Sequence, residues 1–460
     1  MKTLAEQLAK FAVGLRFEDL PAAVVHEVKR RVIDSLGCAL GAWKAEPCRI
    51  ARTVAAAYRA SSSGATLLGM THRTPPDWAA FANGCLVRYL DYNDTYLSKE
   101  PAHPSDNIPA ALAVAEAEQA DARELIVAIA LAYEVQCRLC DAASLRARGW
   151  DHVSYGAFSS GLAAARLMRL DVERARHVIG IAGVASAAMR QSRVGELSHW
   201  KGCAFANAAR HGVFAALLAR SGMTGPAPIF EGAMGFEKLV SGRLAGFKLP
   251  TADYGLPGDD FMVPKTSIKF WPAEYHAQSA IQAALTLRAQ FKEISEIESV
   301  LIESHDAAVD IIGSGPEKWR PTSRETADHS LPYIVAVALA DGELTAKQFE
   351  PARLADADLL ALVRRVKVER DRQLSARYPE AVANIVTARL RDGRRLSERV
   401  DYPRGHAKNG LTDAEVEAKF CALAEPLLGR TRADAALRWL WRLEEARQVA
   451  ELPRLIELTP

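Results

Sequence analysis

A chain of 460 residues, 49% apolar and 25% charged, has an ordinary globular composition and is longer than one hydrophobic core usually serves, so two domains are expected. Its formal net charge of +2, with no Lys/Arg stripe interleaved with aromatics, excludes an electrostatic footprint for nucleic acid. The amphipathic, partly acidic N-terminus lacks a signal peptide's apolar stretch, the longest apolar run (125–133) is too short for a bilayer, and seven scattered cysteines make no disulfide framework, so a cytoplasmic protein without a membrane partner is expected.

In chain order, residues 1–262 read as almost entirely helical. Asp19 with Pro21 forms a helix start, an acceptor at the cap and a proline in the first turn, and the helix runs toward Trp43. Helical periodicity recurs over 76–90, 107–118, 122–142, 154–170, 171–189 and 200–221. The stretches beginning at Ile179 and Ala204 are rich in Gly, Ala and Ser, which lets helices approach closely and predicts a compact bundle with buried central helices. No fixed-period repeat is present.

The pattern changes after the Pro/Gly-rich stretch at 256–264. Ile297–Ser304 alternates as a strand and Val366–Arg370 is a shorter one. Asn384–Leu390 and Arg395–Val400 flank Arg391-Asp392-Gly393-Arg394, a hairpin signal. Helices are expected between them at 275–290 and 327–341. Thr412 with Glu415 forms a capping box opening Asp413–Leu428, and a further helix covers 432–449. The expected fold is mainly α with a smaller α+β domain: a discontinuous helical bundle over 1–264 and 401–460, with an α+β domain inserted over 265–400.

The segment LDYNDTYLSKEPAHPSDN (90–107) interrupts this helical background. It gathers Asp91, Asn93, Asp94, Thr95, His103, Ser105, Asp106 and Asn107 in one loop stiffened by Pro101 and Pro104, an arrangement suited to positioning chemistry. Taken alone, Asp91, Thr95 and His103 serve equally well as a helix end, a cap and a turn. Lys201 before a small-residue helix reads as a solvated lysine or as an anion ligand at a helix N-terminus. Lys269 in IKFWP reads as a snorkelling side chain or as a desolvated cation where two domains meet. Cys137-x-x-Cys140 lies in an apolar helical segment without the third cysteine of an aconitase-type cluster, so buried free thiols are expected. No HExxH, zinc spacing, Walker loop or dinucleotide fingerprint occurs, and Gly313-Ser314-Gly315 is only a turn; neither metal nor cofactor is expected.

The loop, with WKGCAFANAARHG from Trp200, IKFWPAEYHAQ from Ile268, TADHSLPY from Thr326 and YPRGHAKNGLTDAEVEAKF from Tyr402, resembles the MmgE/PrpD family, the motifs falling in order over most of the chain. The resemblance implies cofactor-independent chemistry on a small polycarboxylate: dehydration of 2-methylcitrate, decarboxylation of cis-aconitate or epimerisation of iminodisuccinate. It also implies a large helical domain with a smaller α+β domain, and a homodimer. DYNDTY, HPSDN and DHSLPY are most similar to the 2-methylcitrate dehydratase branch, and the longer spacing from Thr95 to His103 departs from the decarboxylase branch.

Carried onto matching positions, the resemblance implies catalytic Asp91, Thr95, His103, Tyr333 and His152, and substrate-binding Lys201, Lys269, Asn107 and His276. His103 is then the principal acid/base with Asp91 orienting or charging it, Thr95 and Tyr333 serve substrate oxygens, and the two lysines clamp carboxylates. His199 and His329 are weaker candidates. Some relatives carry histidine where this chain has Glu274, so Glu274 inherits no role. The competing expectations are another reaction on a related polycarboxylate, citrate dehydration included, and an inactive helical scaffold. The presence of Asp91, Thr95, His103, Lys201, Lys269 and Tyr333 together argues against the scaffold.

Overall fold

The computed structural model describes residues 3–60, 63–250 and 260–458. Its N-terminal part comprises α1 (Leu4–Gly14), α2 (Ala22–Gly41), α3 (Glu46–Ala56), a small hairpin of β1 (Ala65–Thr66) and β2 (Arg73–Thr74), α4 (Pro76–Tyr89), α5 (Ile108–Ala117), α6 (Ala122–Ala142), α7 (Val153–Leu167), α8 (Val172–Ala185) and α9 (Trp200–Arg220). Side-chain caps open several of these: Asp121 accepts the Glu124 N–H at 2.9 Å before α6, and Asp171 accepts the Arg174 N–H at 2.8 Å before α8. Asp19 does not cap α2. Its carboxylate accepts the Arg16 N–H at 2.9 Å within the preceding turn, and Pro21 holds the N-cap position.

The remaining elements are α10 (Gln278–Arg288), β3 (Ile297–Ser304), α11 (Leu331–Asp341), β4 (Val366–Arg370), β5 (Asn384–Leu390), β6 (Arg395–Val400), α12 (Asp413–Leu428) and α13 (Arg430–Trp441), with shorter helical turns between them. The four strands form one mixed sheet in the order β4-β3-β5-β6, parallel between β3 and β4 and antiparallel elsewhere. The molecule is therefore mainly α with a smaller α+β part. No helix among the described residues is long and apolar enough to cross a membrane.

Two hydrophobic cores result. The first takes side chains from α1 through α9 and again from Leu411 onward; the second is built by residues between Trp271 and Val400. Phe270 packs against both, so Lys269 stands at the crossing point. The C-terminal helices return to α2, where Lys419 pairs with Asp34 at 2.5 Å and also donates to the carbonyls of Tyr92 and Lys269.

The expected helix at 327–341 is broken. Arg324–Ala327 is a single turn, Ser330 caps α11 by accepting the Tyr333 N–H at 3.1 Å, and Pro332 lies in the first turn of α11. Proline has no N–H and disfavours helical backbone before it, so the chain unwinds at 328–330. The Asp328 carbonyl freed there accepts the Glu274 N–H at 2.9 Å. The helix expected at 171–189 also stops short, at Ala185, and the last one ends at Trp441.

Candidate active site

The site is organised by the end of α4. Arg88 lies in the last turn, and Asp91 follows at φ +50°, a left-handed conformation that aspartate tolerates better than most residues. Asp91 Oδ1 accepts from Arg88 Nη1 at 2.5 Å. Close packing then brings in α9: a Cβ on Gly84 of α4 would stand 2.8 Å from the Ala206 Cβ, so glycine is needed for this approach. Lys201, in the first turn of α9, donates to Asp91 Oδ2 at 3.0 Å and to Asp328 Oδ1 at 3.3 Å. Lys269 donates to the Asp91 carbonyl at 2.9 Å and also to Oδ1. His329 closes the ring, with Nε2 3.4 Å from Asp91 Oδ2 and Nδ1 2.7 Å from Asp328 Oδ1.

All of this is buried. Burial alone would raise the Asp91 carboxyl, but Arg88, Lys201, Lys269 and His329 together hold it well below the usual carboxylate range. Burial pulls Lys269 below the ordinary lysine value, with Asp91 opposing. Burial pushes Asp106, 3.7 Å from Arg88 Nε, up to about 7.

Imidazoles surround this knot. His103 Nε2 accepts from Arg88 Nη2 at 3.0 Å, so its proton sits on Nδ1 and is donated to the Asp94 carbonyl at 2.7 Å. Arg88 thus stands between His103 and Asp91, and the backbone of Asp94 orients the ring where Asp91 was expected to. The His152 ring is centred 5.8 Å from that of His103. His152 Nδ1 lies 2.9 Å from Asp151 Oδ1, while its Nε2 is buried with no partner among the described residues. Burial keeps both imidazoles below the ordinary histidine value. A third ring, His276, sets Nδ1 2.6 Å from Glu274 Oε1 and accepts from the Tyr378 hydroxyl at 3.3 Å. Burial would raise Glu274, but His276, then His329 and Lys269, bring it down to about 2.

Both halves of the chain match family profiles, the MmgE/PrpD N-terminal domain over residues 6–245 and the MmgE/PrpD C-terminal domain over residues 271–444. The chain belongs to the MmgE/PrpD family. Among its MmgE/PrpD relatives is the 2-methylcitrate dehydratase of Escherichia coli K12, 30% identical over 402 residues that span 82% of this chain and 81% of the relative. The 2-methylcitrate dehydratase of Cupriavidus necator is 29% identical over 418 residues, 85% and 84% of the two chains. The cis-aconitate decarboxylase of Mus musculus is 25% identical and aligns with 99% of this chain and 94% of its own.

Of the residues singled out in sequence, the MmgE/PrpD fold brings Asp91, His103, His152, Lys201 and Lys269 together and places His276 against Glu274 beside them. Thr95 is a fastener: its N–H donates to the Ser267 carbonyl at 2.8 Å and its hydroxyl to the Ala102 carbonyl at 3.1 Å. Asn107 is saturated by the Pro104 carbonyl, Gln136, Ser159 and Ser160. Tyr333 is not brought to the cluster. It is fully buried in the second core, and its hydroxyl donates to the Gln348 carbonyl at 2.5 Å. His199 is half exposed.

Sequence reasoning missed Arg88, Asp328 and Lys318, and it gave no role to Glu274, which the structure pairs with His276. Lys318 is a buried lysine held below its ordinary value by burial, with Glu317, Asp328 and Glu274 opposing. A local signal did exist for two of these: an acid stands one or two residues before the histidine in Asp151-His152, Asp328-His329 and Glu274-Tyr275-His276. Asp91, Asp328 and His329 also offer three metal-ligand atoms within 4.8 Å of one another. Lys201 and Lys269 already occupy the carboxylate oxygens of Asp91, and a dication would have to displace both ammonium groups. This donor set does not fit a divalent metal.

Proposed function

We propose that this protein is a cofactor-independent hydro-lyase of a small tricarboxylate, converting 2-methylcitrate to 2-methyl-cis-aconitate. The observation that carries the reading is the buried knot of Arg88, Lys201 and Lys269 around Asp91, set beside an imidazole nitrogen that is free to take a proton. The relatives named 2-methylcitrate dehydratase supply the substrate class.

A substrate carboxylate displaces Asp91 from Lys201 and Lys269, which then stabilise the charge that develops when the adjacent C–H bond breaks. His152 Nε2 takes that proton, and Asp151 holds the resulting imidazolium by its Nδ1–H. Lys269, its acidity raised by burial, gives a proton to the departing hydroxyl, so water leaves as the double bond forms. His103, locked by Arg88 and the Asp94 carbonyl, keeps the Arg88 fork in place.

The test is to incubate chelator-treated protein with 2-methylcitrate, citrate, cis-aconitate and iminodisuccinate, and to follow products by ultraviolet absorbance and mass. Loss of one water from 2-methylcitrate is expected. His152→Ala should lower kcat by about 10²–10⁴-fold with the fold retained, and His103→Ala should also lose turnover. Near-normal activity of His152→Ala would remove the base assignment. Carbon dioxide release from cis-aconitate would favour a second reading, which the mouse decarboxylase relative supports. A cytosolic homodimer belongs to the same reading. Exposed Val184, Met189, Trp200 and Phe214 near α8 and α9 support the pairing, and a monomeric mass in solution would remove it.

A further inference from the structure

The charges of the buried knot are already committed. Arg88, Lys201 and Lys269 all face Asp91, Lys201 also meets Asp328, and Arg88 approaches Asp106. A tricarboxylate brings three negative charges, and exchange with Asp91 satisfies only part of them. The surrounding surface holds two arginines that form no ion pair with a carboxylate among the described residues.

We propose that Arg146 and Arg190 form a carboxylate-binding pair at the outer edge of this site, holding the arm of the tricarboxylate that Lys201 and Lys269 do not. This rests on the function proposed above. Both side chains are partly buried, yet among the described residues neither guanidinium donates a hydrogen bond or lies within ion-pair distance of an acid. Neighbouring Arg193, by contrast, donates to Asp151 Oδ2 at 2.9 Å.

The backbone sets the two arginines on the frame that carries His152. The Arg190 N–H donates to the Gly149 carbonyl at 2.9 Å, and the Asp151 N–H donates to the Ala188 carbonyl at 2.8 Å. Arg146 follows the same stretch back to Glu100, whose Oε2 accepts the Arg146 N–H at 2.9 Å and the Ser144 hydroxyl at 3.0 Å. Burial pushes that carboxyl up to about 7, and the Arg146 and Arg190 guanidinium groups pull it back down. Burial, with Arg146 and Arg193 adding their repulsion, holds Arg190 below the ordinary arginine value, although Glu100 and Asp151 oppose. Two partly desolvated guanidinium groups that repel each other are a ready receptor for an anion, and their planar forks suit a carboxylate.

The opposite wall comes from the α+β part. Arg146 acts electrostatically on Tyr378 and His305. These two rings stack at 4.8 Å, and the Tyr378 hydroxyl reaches His276. His305 is fully buried, and its Nε2 has no partner among the described residues. An unpaired polar nitrogen inside a protein costs free energy unless something satisfies it.

Calorimetric titration with tricarballylate, an unreactive tricarboxylate, and citramalate, a hydroxy-dicarboxylate, tests the pair in the intact protein. Arg146→Gln and Arg190→Gln should each weaken tricarballylate by about 10- to 100-fold, the value of a hydrogen bond to a charged group, while citramalate binding stays the same. In turnover of 2-methylcitrate the same variants should raise KM with kcat little changed, and Arg146→Lys should recover part of the loss. Unchanged tricarballylate affinity in both variants, an equal loss for both ligands, or no tricarballylate binding by the wild type overturns the proposal. Selective loss of tricarballylate in a protein that does not dehydrate 2-methylcitrate leaves the anion pair standing and removes the proposed reaction.

Discussion

Asp91 is paired with Arg88, Lys201 and Lys269 at once, so a substrate carboxylate has to replace it at these cations. The same knot makes the residue structural. Asp91→Asn leaves three buried cations without their shared anion, and breaking a buried pair typically costs about 3–5 kcal/mol. Urea unfolding should show a loss of that order together with loss of turnover; an unchanged midpoint would contradict a buried, charged Asp91. At this scale the sequence was only partly legible. The acid–histidine pairs are close together in the chain and readable, whereas Arg88 near the end of a helical pattern looks like any solvated arginine until packing buries it.

At the scale of elements, local signals predicted well where local forces decide. The alternation in β3, the Asp-Gly turn between β5 and β6 and the Thr412 capping box all stand where the sequence put them. The helix at 327–341 failed because Pro332 removes a hydrogen bond, and Glu274, far away in sequence, takes the freed carbonyl. Gly405 shows how a remote turn positions the site. It adopts φ +89°, and a Cβ there would stand 2.0 Å from the carbonyl oxygen of Ile268, next to Lys269. Gly405→Ala should lower stability by roughly 1–3 kcal/mol through backbone strain alone, and it should shift the Ile268–Lys269 backbone so that kcat/KM falls with it. Wild-type stability and activity in that variant would show that the turn does not control Lys269.

For the whole molecule, the buried histidines set the response to acid. Burial holds His103, His152, His305, His329 and His406 below their ordinary value, to about 3 for His305 and about 4 for His406. Unfolded imidazoles titrate near 6.5, so below that pH the unfolded chain binds more protons than the native one. Their contribution to stability is therefore fully present above about pH 6.5 and is lost as pH falls toward the folded values, by about 1.4 kcal/mol per pH unit for each such histidine, whereas Asp106 and Glu100, pushed up to about 7 by burial, contribute in the opposite sense as pH falls through that value. In urea titrations from pH 8 to 5 the stability difference between wild type and His406→Gln should be constant above about pH 6.5 and then shift by one histidine's share; a difference that stays flat to pH 5 would contradict neutral burial of His406. Sequence by itself determined the mainly α class with its smaller α+β part, the strands and their hairpin, the family, and the loop from which the site grows, because periodicity, turn chemistry and motif order act over a few residues. Only the tertiary structure decided which charges meet. Lys201 and Lys269 lie 110 and 178 residues from Asp91, while Tyr333, in a motif that matched, points its hydroxyl at Gln348 instead. The physical reason is that the direction of a side chain depends on which helix faces pack together, and that is set by burial across the whole chain.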